Sequence, residues 1–372
     1  MSKLNVIHVI TTIDNGGAEK QLLILAREQL ERGFEVSVFY LKGSGALRES
    51  LLSSGISVID NHANKNPIHQ VILWRNYLRK FKGRTIIHAH LPRAEILAFF
   101  SQFKFRLIIT RHNAEPFATL LPRTMSSFLS RLVSMRASWV IAISGAVKEF
   151  LLISREVATK TPITVIYYGF DKMFPTQGVK SLPARDKPLR IVTLARLVPQ
   201  KGLATLIEAS HSLSREGLRF SLDIYGEGFL LDDLKKKVSN LGLQAFINFK
   251  GKTSKPELEL PHYDFFILPS VYEGFGLSVL EALQSGLRLI LSDLPVFKEI
   301  MGSSFTGFFK CGDSIELSRV IKELCFNANY DWNDADRNAV LSKFDPKRLH
   351  KSTSEIYHRV LRTDDSNFAE SF

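Results

Sequence analysis

Residues 264–293 read DFFILPSVYEGFGLSVLEALQSGLRLILSD. The apolar run Phe265-Phe266-Ile267-Leu268, closed by Pro269 and Ser270, has the length and composition of a short buried strand. Glu273-Gly274-Phe275-Gly276 follows, with glycines at alternate positions that allow close backbone approach or positive φ. Leu277, Leu280 and Leu283 then recur at helical spacing until Gly286, a C-terminal stop. The run Leu287–Leu291, interrupted by Arg288, predicts the next strand. Strand, glycine loop, helix and strand make a βαβ unit of the usual length. Glu273 lies in the loop and Glu281 about one turn inside the helix, where free N–H groups and the helix dipole favour an anion. A ligand with an anionic part for the amides and hydroxyls for the carboxylates satisfies both features.

Upstream of this stretch the same pattern repeats. Ile191–Leu194 reads as a strand, and the loop Ala195-Arg196-Leu197-Val198-Pro199-Gln200-Lys201-Gly202 leads into a helix starting at Leu203. Arg196, with its planar fork, and Lys201, a point charge, suit a diphosphate. Phe220–Ile224 is a further strand, capped by Tyr225-Gly226-Glu227-Gly228. Between residues 172 and 188 the chain turns polar and carries Pro175, Pro183 and Pro188, the composition of an interdomain linker.

The N-terminal half opens with a strand over Asn5–Thr11 and the loop Asp14-Asn15-Gly16-Gly17-Ala18-Glu19 into a helix. This is the phosphate-binding position of a Rossmann-like unit, although the spacing is not GxGxxG, and a plain tight turn accounts for the glycines equally well. Thr85–His90 is a strand ending His88-Ala89-His90; without a third ligand, local hydrogen bonding is preferred to a metal for this pair. Leu107–Thr110 is a strand with Arg111-His112-Asn113 just past its end, the edge at which open α/β sheets bind ligands. His112 is therefore a candidate ligand contact, with a satisfied structural histidine as the alternative. The chain ends with a polar amphipathic helix over Pro346–Arg362 and a frayed tail over 363–372.

Phe117–Ala137 is predicted helical, with Arg123, Arg131 and Arg136 among Leu120, Leu121, Met125, Phe128, Leu129, Leu132 and Val133. Two readings stand. Either the apolar residues face the core and the arginines face water, or this helix joins Phe99, Phe100, Phe103, Lys104 and Arg106 in a basic, apolar surface suited to an anionic membrane.

Composition bounds the rest. The chain has 372 residues, enough for two domains, and its 45% hydrophobic and 23% charged fractions are those of a globular protein. A net charge of +12 points to an anionic partner, with a protein that is simply basic as the alternative. Cys311 and Cys325 lack metal-ligand spacing, the N-terminus has no signal-peptide pattern, and the apolar stretch Ala137–Val147 is too short to span a bilayer. No nucleic-acid-binding module is present, so nucleic acid is not expected as a partner.

The motifs together resemble those of the group-one, retaining, nucleotide-sugar-dependent glycosyltransferases. They are GGAEK (Gly16–Lys20), HAH (His88–His90), TRHN (Thr110–Asn113), ISGAVKEFL (Ile143–Leu151), YYGFD (Tyr167–Asp171), ARLVPQKG (Ala195–Gly202), IYGEG (Ile224–Gly228) and EGFGLSVLEAL (Glu273–Leu283). The resemblance covers about residues 5–362 and implies the GT-B fold, an α/β architecture of two facing Rossmann-like, doubly wound domains with a C-terminal helix. It also implies roles. Glu273 would contact the donor sugar, and Glu281 the ribose hydroxyls. Arg196 and Lys201 would neutralise the diphosphate. Gly16 and Gly17 would close over the donor, and His112 would lie near the reacting sugar. Gly276, Leu277 and Ser278 would offer helix-end amides, with Gly226 a further binding position. No metal or other cofactor is implied, in keeping with an Arg/Lys pair and no Asp-x-Asp motif. The sequence departs from the family where Leu287 and Arg288 follow Gly286, and where Ser303-Ser304-Phe305-Thr306-Gly307 replaces a downstream Asp-Gly.

The expected organisation is an acceptor-side domain over 1–171, a linker over 172–188, a nucleotide-sugar domain over 189–345, and the helix and tail over 346–372. The expected activity is transfer of a sugar from a nucleotide diphosphate to a glycan or lipid-linked acceptor of the cell envelope. The protein is expected in the cytoplasm, on or near an anionic membrane surface. A nucleotide-sugar epimerase or a sugar phosphorylase on the same fold is the alternative, and a catalytically silent nucleotide-sugar or membrane-binding protein is the alternative outside enzymes.

Overall fold

The computed structural model describes residues 3–369 except 15, 61–64, 82–83, 102–103, 172–177, 179–186, 303 and 327–332, and only the backbone of 363–369. Most of the predicted linker, and Phe103 of the basic apolar segment, therefore lie outside the described residues. The chain divides into two units, residues 1–171 with 344–372, and residues 172–343.

The first unit is built on a seven-stranded parallel sheet. Its strands are β1 (Asn5–Ile10), β2 (Glu35–Tyr40), β3 (Ser57–Ile59), β4 (Thr85–His90), β5 (Arg106–Arg111), β6 (Trp139–Ala142) and β7 (Ile163–Val165), in the order β3-β2-β1-β4-β5-β6-β7. Strands buried on both faces need not alternate, which is why β1 and β4 read as near-continuous apolar runs, broken by the buried His8, His88 and His90. The C-terminal helix Pro346–Ala369 belongs to this unit: Ile356, Tyr357, Val360 and Leu361 share a buried cluster with Val6, Ile86, Ile108 and Ile141. The helix continues through most of the segment expected to fray.

The second unit carries a six-stranded parallel sheet: β8 (Leu189–Leu194), β9 (Phe220–Tyr225), β10 (Ile247–Gly251), β11 (Phe265–Leu268), β12 (Arg288–Ser292) and β13 (Phe308–Phe309). The spatial order is β10-β9-β8-β11-β12-β13. The unit read from residues 264–293 is present as β11, the helix Leu277–Gln284 and β12, with Phe265 to Leu268 paired in register with Arg288 to Leu291. Asp264 anchors its start: the carboxylate accepts the Arg190 backbone N–H at 2.9 Å and the Arg190 guanidinium at 2.7 Å, tying β11 to β8.

One expectation needs correction. The predicted helix over Phe117–Ala137 begins only at Arg123 and ends at Arg136. Pro122 stands at its N-cap, where its fixed φ and missing N–H favour a helix start. The assignment of apolar residues to the core is also reversed. Its buried side chains are Ser126, Ser130, Val133 and Ser134, whereas Met125, Phe128, Leu132 and Met135 are exposed.

Candidate active site

In an open parallel sheet the ligand crevice forms at the C-terminal strand ends where the strand order reverses. In the second unit that point lies between β8 and β11. The loop after β8 carries Arg196 and Lys201, and the loop after β11 carries Glu273, so the topology brings together three residues that are distant in sequence. The Lys201 ammonium donates to the Glu273 carboxylate, which also accepts the Ser270 hydroxyl at 2.8 Å. Glu273 is buried and Arg196 exposed. The Arg196 guanidinium donates to Gln200 Oε1 at 2.9 Å, and Gln200 in turn donates to the Tyr272 carbonyl at 3.1 Å. The backbone N–H of Val271 closes the two loops on the Gln200 carbonyl at 2.8 Å.

Two glycines make this approach feasible. Gly202 has φ +59°, and a Cβ there would collide with the Pro269 carbonyl. Any side chain would force apart the loops that pair Lys201 with Glu273. Gly226, predicted as a binding position, passes against the Ala195 carbonyl with no room for a Cβ, and donates its N–H to the Gly251 carbonyl at 2.8 Å. Gly276 caps the helix Leu277–Gln284, which begins with Leu277 and Ser278 and holds the half-buried Glu281 in its second turn. The arrangement offers two cations and a set of helix-end amides for a diphosphate, and two carboxylates for hydroxyls.

In the first unit the strand order reverses between β1 and β4. Gly16 is the N-cap of the helix Gly17–Glu31, directly after β1, and Gly17 is its first, exposed residue. Glu19, which the motif reading left without a role, is buried and accepts the Thr12 hydroxyl at 2.5 Å. His112 stands one residue past β5 and is buried. Both of its ring nitrogens are engaged: Nε2 with His90 Nδ1 at 3.1 Å, and Nδ1 with the Tyr168 hydroxyl at 2.7 Å.

These contacts belong to a longer chain. His90 Nε2 meets His8 Nδ1 at 3.0 Å, and His8 Nε2 meets Gln29 Oε1 at 2.8 Å. The Gln29 amide nitrogen donates to the Tyr357 hydroxyl at 3.1 Å, which meets His88 Nδ1 at 2.7 Å, and His88 Nε2 meets the Thr110 hydroxyl at 2.6 Å. An amide oxygen only accepts, so His8 carries its proton on Nε2. A neutral ring has one donor and one acceptor, and the assignment propagates: His90 and His112 also carry theirs on Nε2, and Tyr168 donates to His112. Burial lowers all four imidazoles, His8 to about 4, His112 to about 3, and His88 and His90 well below the ordinary value. The chain is therefore uncharged. His8, His88 and His90 each bring a nitrogen within 4.8 Å of the others, supplying the third ligand missing from the His-x-His reading. Every ring nitrogen nevertheless has a hydrogen-bond partner, so the cluster is satisfied without a cation.

Beside it lies a buried acidic pair that the motifs did not reveal. Arg111 reaches Glu95 at 2.8 Å and Glu156 at 3.2 Å. Burial pushes Glu95 up to about 7, Arg111 opposes the shift, and Glu156 adds to it. The signal available in the sequence was an acid in the helix Pro92–Phe99, whose only other charged residue is Arg93.

Comparison with known proteins identifies the family. Residues 15–173 match the model for Glycosyltransferase Family 4, and residues 177–336 the model for Glycosyl transferases group 1. The chain is 26% identical over 267 residues to a GDP-mannose:cellobiosyl-diphosphopolyprenol alpha-mannosyltransferase of Xanthomonas oryzae, covering 68% of each chain. Among solved structures it is similar to a glycosyltransferase of Rickettsia africae, with TM-score 0.77 and 20% identity over 97% of this chain and 99% of that one. It is equally similar to HepE of Anabaena in complex with UDP and glucose, with TM-score 0.77 and 19% identity over 94% and 98%. The chain belongs to the group 1, family 4 glycosyltransferases, enzymes of GT-B fold that draw their sugar from a nucleotide-sugar donor.

Proposed function

We propose that this enzyme transfers a sugar, with retention of anomeric configuration, from a nucleotide diphosphate to a glycan carried on a lipid, at the cytoplasmic face of a membrane. The observation that carries the donor half is the convergence of Arg196, Lys201 and Glu273 at the switch point of the second sheet. Cleaving a sugar–phosphate bond builds negative charge on the departing diphosphate. Preorganised cations and helix-end amides stabilise that charge more in the transition state than in the ground state. Arg196 and Lys201 are the cations in this reading, and the amides of Gly276, Leu277 and Ser278 are the dipoles. Glu281 reads ribose hydroxyls and Glu273 the donor sugar, which leaves Lys201 free to turn from Glu273 to phosphate when the donor arrives. Gly226 shapes the loop rather than touching the donor.

In the first unit, Gly16, Gly17 and His112 are the residues proposed to contact sugar. With both ring nitrogens engaged and its pKa depressed, His112 acts here as a neutral, rigid group and not as a proton acceptor. The acceptor half rests on the relative that acts on a diphosphopolyprenol-linked sugar, and on the net charge of +12. Assay of a panel of nucleotide sugars against lipid-diphosphate glycans tests the reading. One pair should yield a lipid-linked product. Turnover of a donor without any acceptor, or only with free phosphate, would instead indicate an epimerase or a phosphorylase.

A further inference from the structure

The helix Arg123–Arg136 is turned inside out. Its inward side is held by three serines. Ser126 Oγ accepts the Ala118 N–H at 2.8 Å, Ser130 Oγ donates to the Glu156 carbonyl at 2.9 Å, and Ser134 Oγ accepts the Ala158 N–H at 2.8 Å. These bonds fix the rotation of the helix about its axis. The opposite side carries Met125, Phe128, Leu132 and Met135 at 55%, 70%, 40% and 67% exposure, preceded by Leu120 at 98% and Leu121 at 39%. From Met125 to Met135 the spacing is three, four, three, so these four side chains form one straight stripe about 15 Å long. Water-facing helix surfaces ordinarily carry the polar residues, and an apolar stripe held outward by a buried polar face is a surface built for a partner.

The surrounding charge identifies that partner. Between Glu95 and Glu149 the sequence contains one carboxylate, Glu115, against Lys104, Arg106, Arg123, Arg131, Arg136 and Lys148, leaving aside Arg111, which is buried against Glu95 and Glu156. By helical geometry Arg131 and Arg136 flank the stripe on either side. Apolar side chains along the centre and cations along the rim match the boundary between acyl chains and anionic headgroups. Among the described residues no helix is long and apolar enough to cross a membrane.

We propose that the Met125–Phe128–Leu132–Met135 face docks the first unit on an anionic lipid bilayer, lying in its interface. The proposal deepens the reading of a lipid-carried acceptor and rests on it for its biological purpose. The test scores binding without donor or acceptor, so either idea can fail without the other.

The full chain is mixed with vesicles of phosphatidylcholine alone, or with about one third phosphatidylglycerol, and separated by flotation. The expected result is capture by the anionic vesicles, weakening as salt is raised, and reduced roughly tenfold or more in F128E/M135E. Ile315→Glu, an equally exposed apolar position in the second unit, should leave capture unchanged. Circular-dichroism melts check that the variants fold, and Phe128→Trp should blue-shift its emission on addition of anionic vesicles. Capture insensitive to F128E/M135E, equal capture by neutral vesicles, or no capture would each overturn the proposal. So would concentration-dependent self-association abolished by F128E/M135E, which would assign the face to a second copy of the chain.

Discussion

His90 Nδ1 lies 3.1 Å from His112 Nε2, a buried contact that couples the last residue of β4 to the residue just past β5. With the Gln29 amide oxygen accepting at the far end, the proton in this contact belongs to His112. Nitrogen-detected NMR should find His8, His90 and His112 neutral near pH 7, each protonated on Nε2. A protonated Nδ1 on any of them would refute the directed chain.

Tyr168→Phe removes the donor to His112 Nδ1, and Tyr357→Phe removes the link between Gln29 and His88. The first leaves the His112 Nδ1 acceptor without a partner and the second the Gln29 amide N–H donor, so each should cost about 1–3 kcal/mol in denaturant unfolding. Of the two, Tyr168→Phe should also lower kcat, because it frees the ring next to the proposed sugar site.

The same imidazoles set an acid limit on stability. Their folded pKa values lie below the ordinary 6.5, at about 4 for His8 and about 3 for His112. The unfolded chain therefore binds more protons in that interval, and stability present above pH 6.5 is lost as pH falls toward 4. Glu95, raised from 4.5 to about 7, acts with the opposite sign: its contribution is present below pH 4.5 and is lost as pH rises through 7. Four histidines outweigh it, so the melting temperature should climb between pH 4 and 6.5. In Glu95→Gln the climb should steepen, because one opposing carboxyl is gone while Glu156, also raised by burial, remains.

Lys201→Ala should lower transfer by about 10²–10³-fold, the usual cost of removing one stabiliser of developing charge. Glu281→Ala should act mainly on donor KM. Measured with one competent donor, wild-type kinetics in both variants would show the site to be misplaced.

Gly202→Ala meets the Pro269 carbonyl from a left-handed backbone. Strain of this kind costs about 1–3 kcal/mol. The loss should appear as weaker nucleotide binding by calorimetry, since the displaced loop is the one that presents Lys201.

Much of this was already written in the chain. Residues 264–293 specified β11, the helix and β12, because a short apolar run, a glycine loop and a helical repeat are local signals that need no distant partner. For the same reason Arg196, Lys201, Glu273 and Glu281 were recognisable as loop and helix-end residues suited to phosphate and hydroxyls. Local pattern could not reveal which strands adjoin, and so could not bring Lys201 to Glu273; strand order did that. Nor could periodicity decide which side of the helix Arg123–Arg136 faces inward, since a regular apolar stripe is the same whether buried or exposed. Only the backbone groups and carboxylate that meet Ser126, Ser130 and Ser134 turned the serines in. The histidine chain is the clearest case: His8, His88 and His90 come from two strands and His112 from the edge just past a third, and only parallel pairing of β1, β4 and β5 aligns their ring nitrogens.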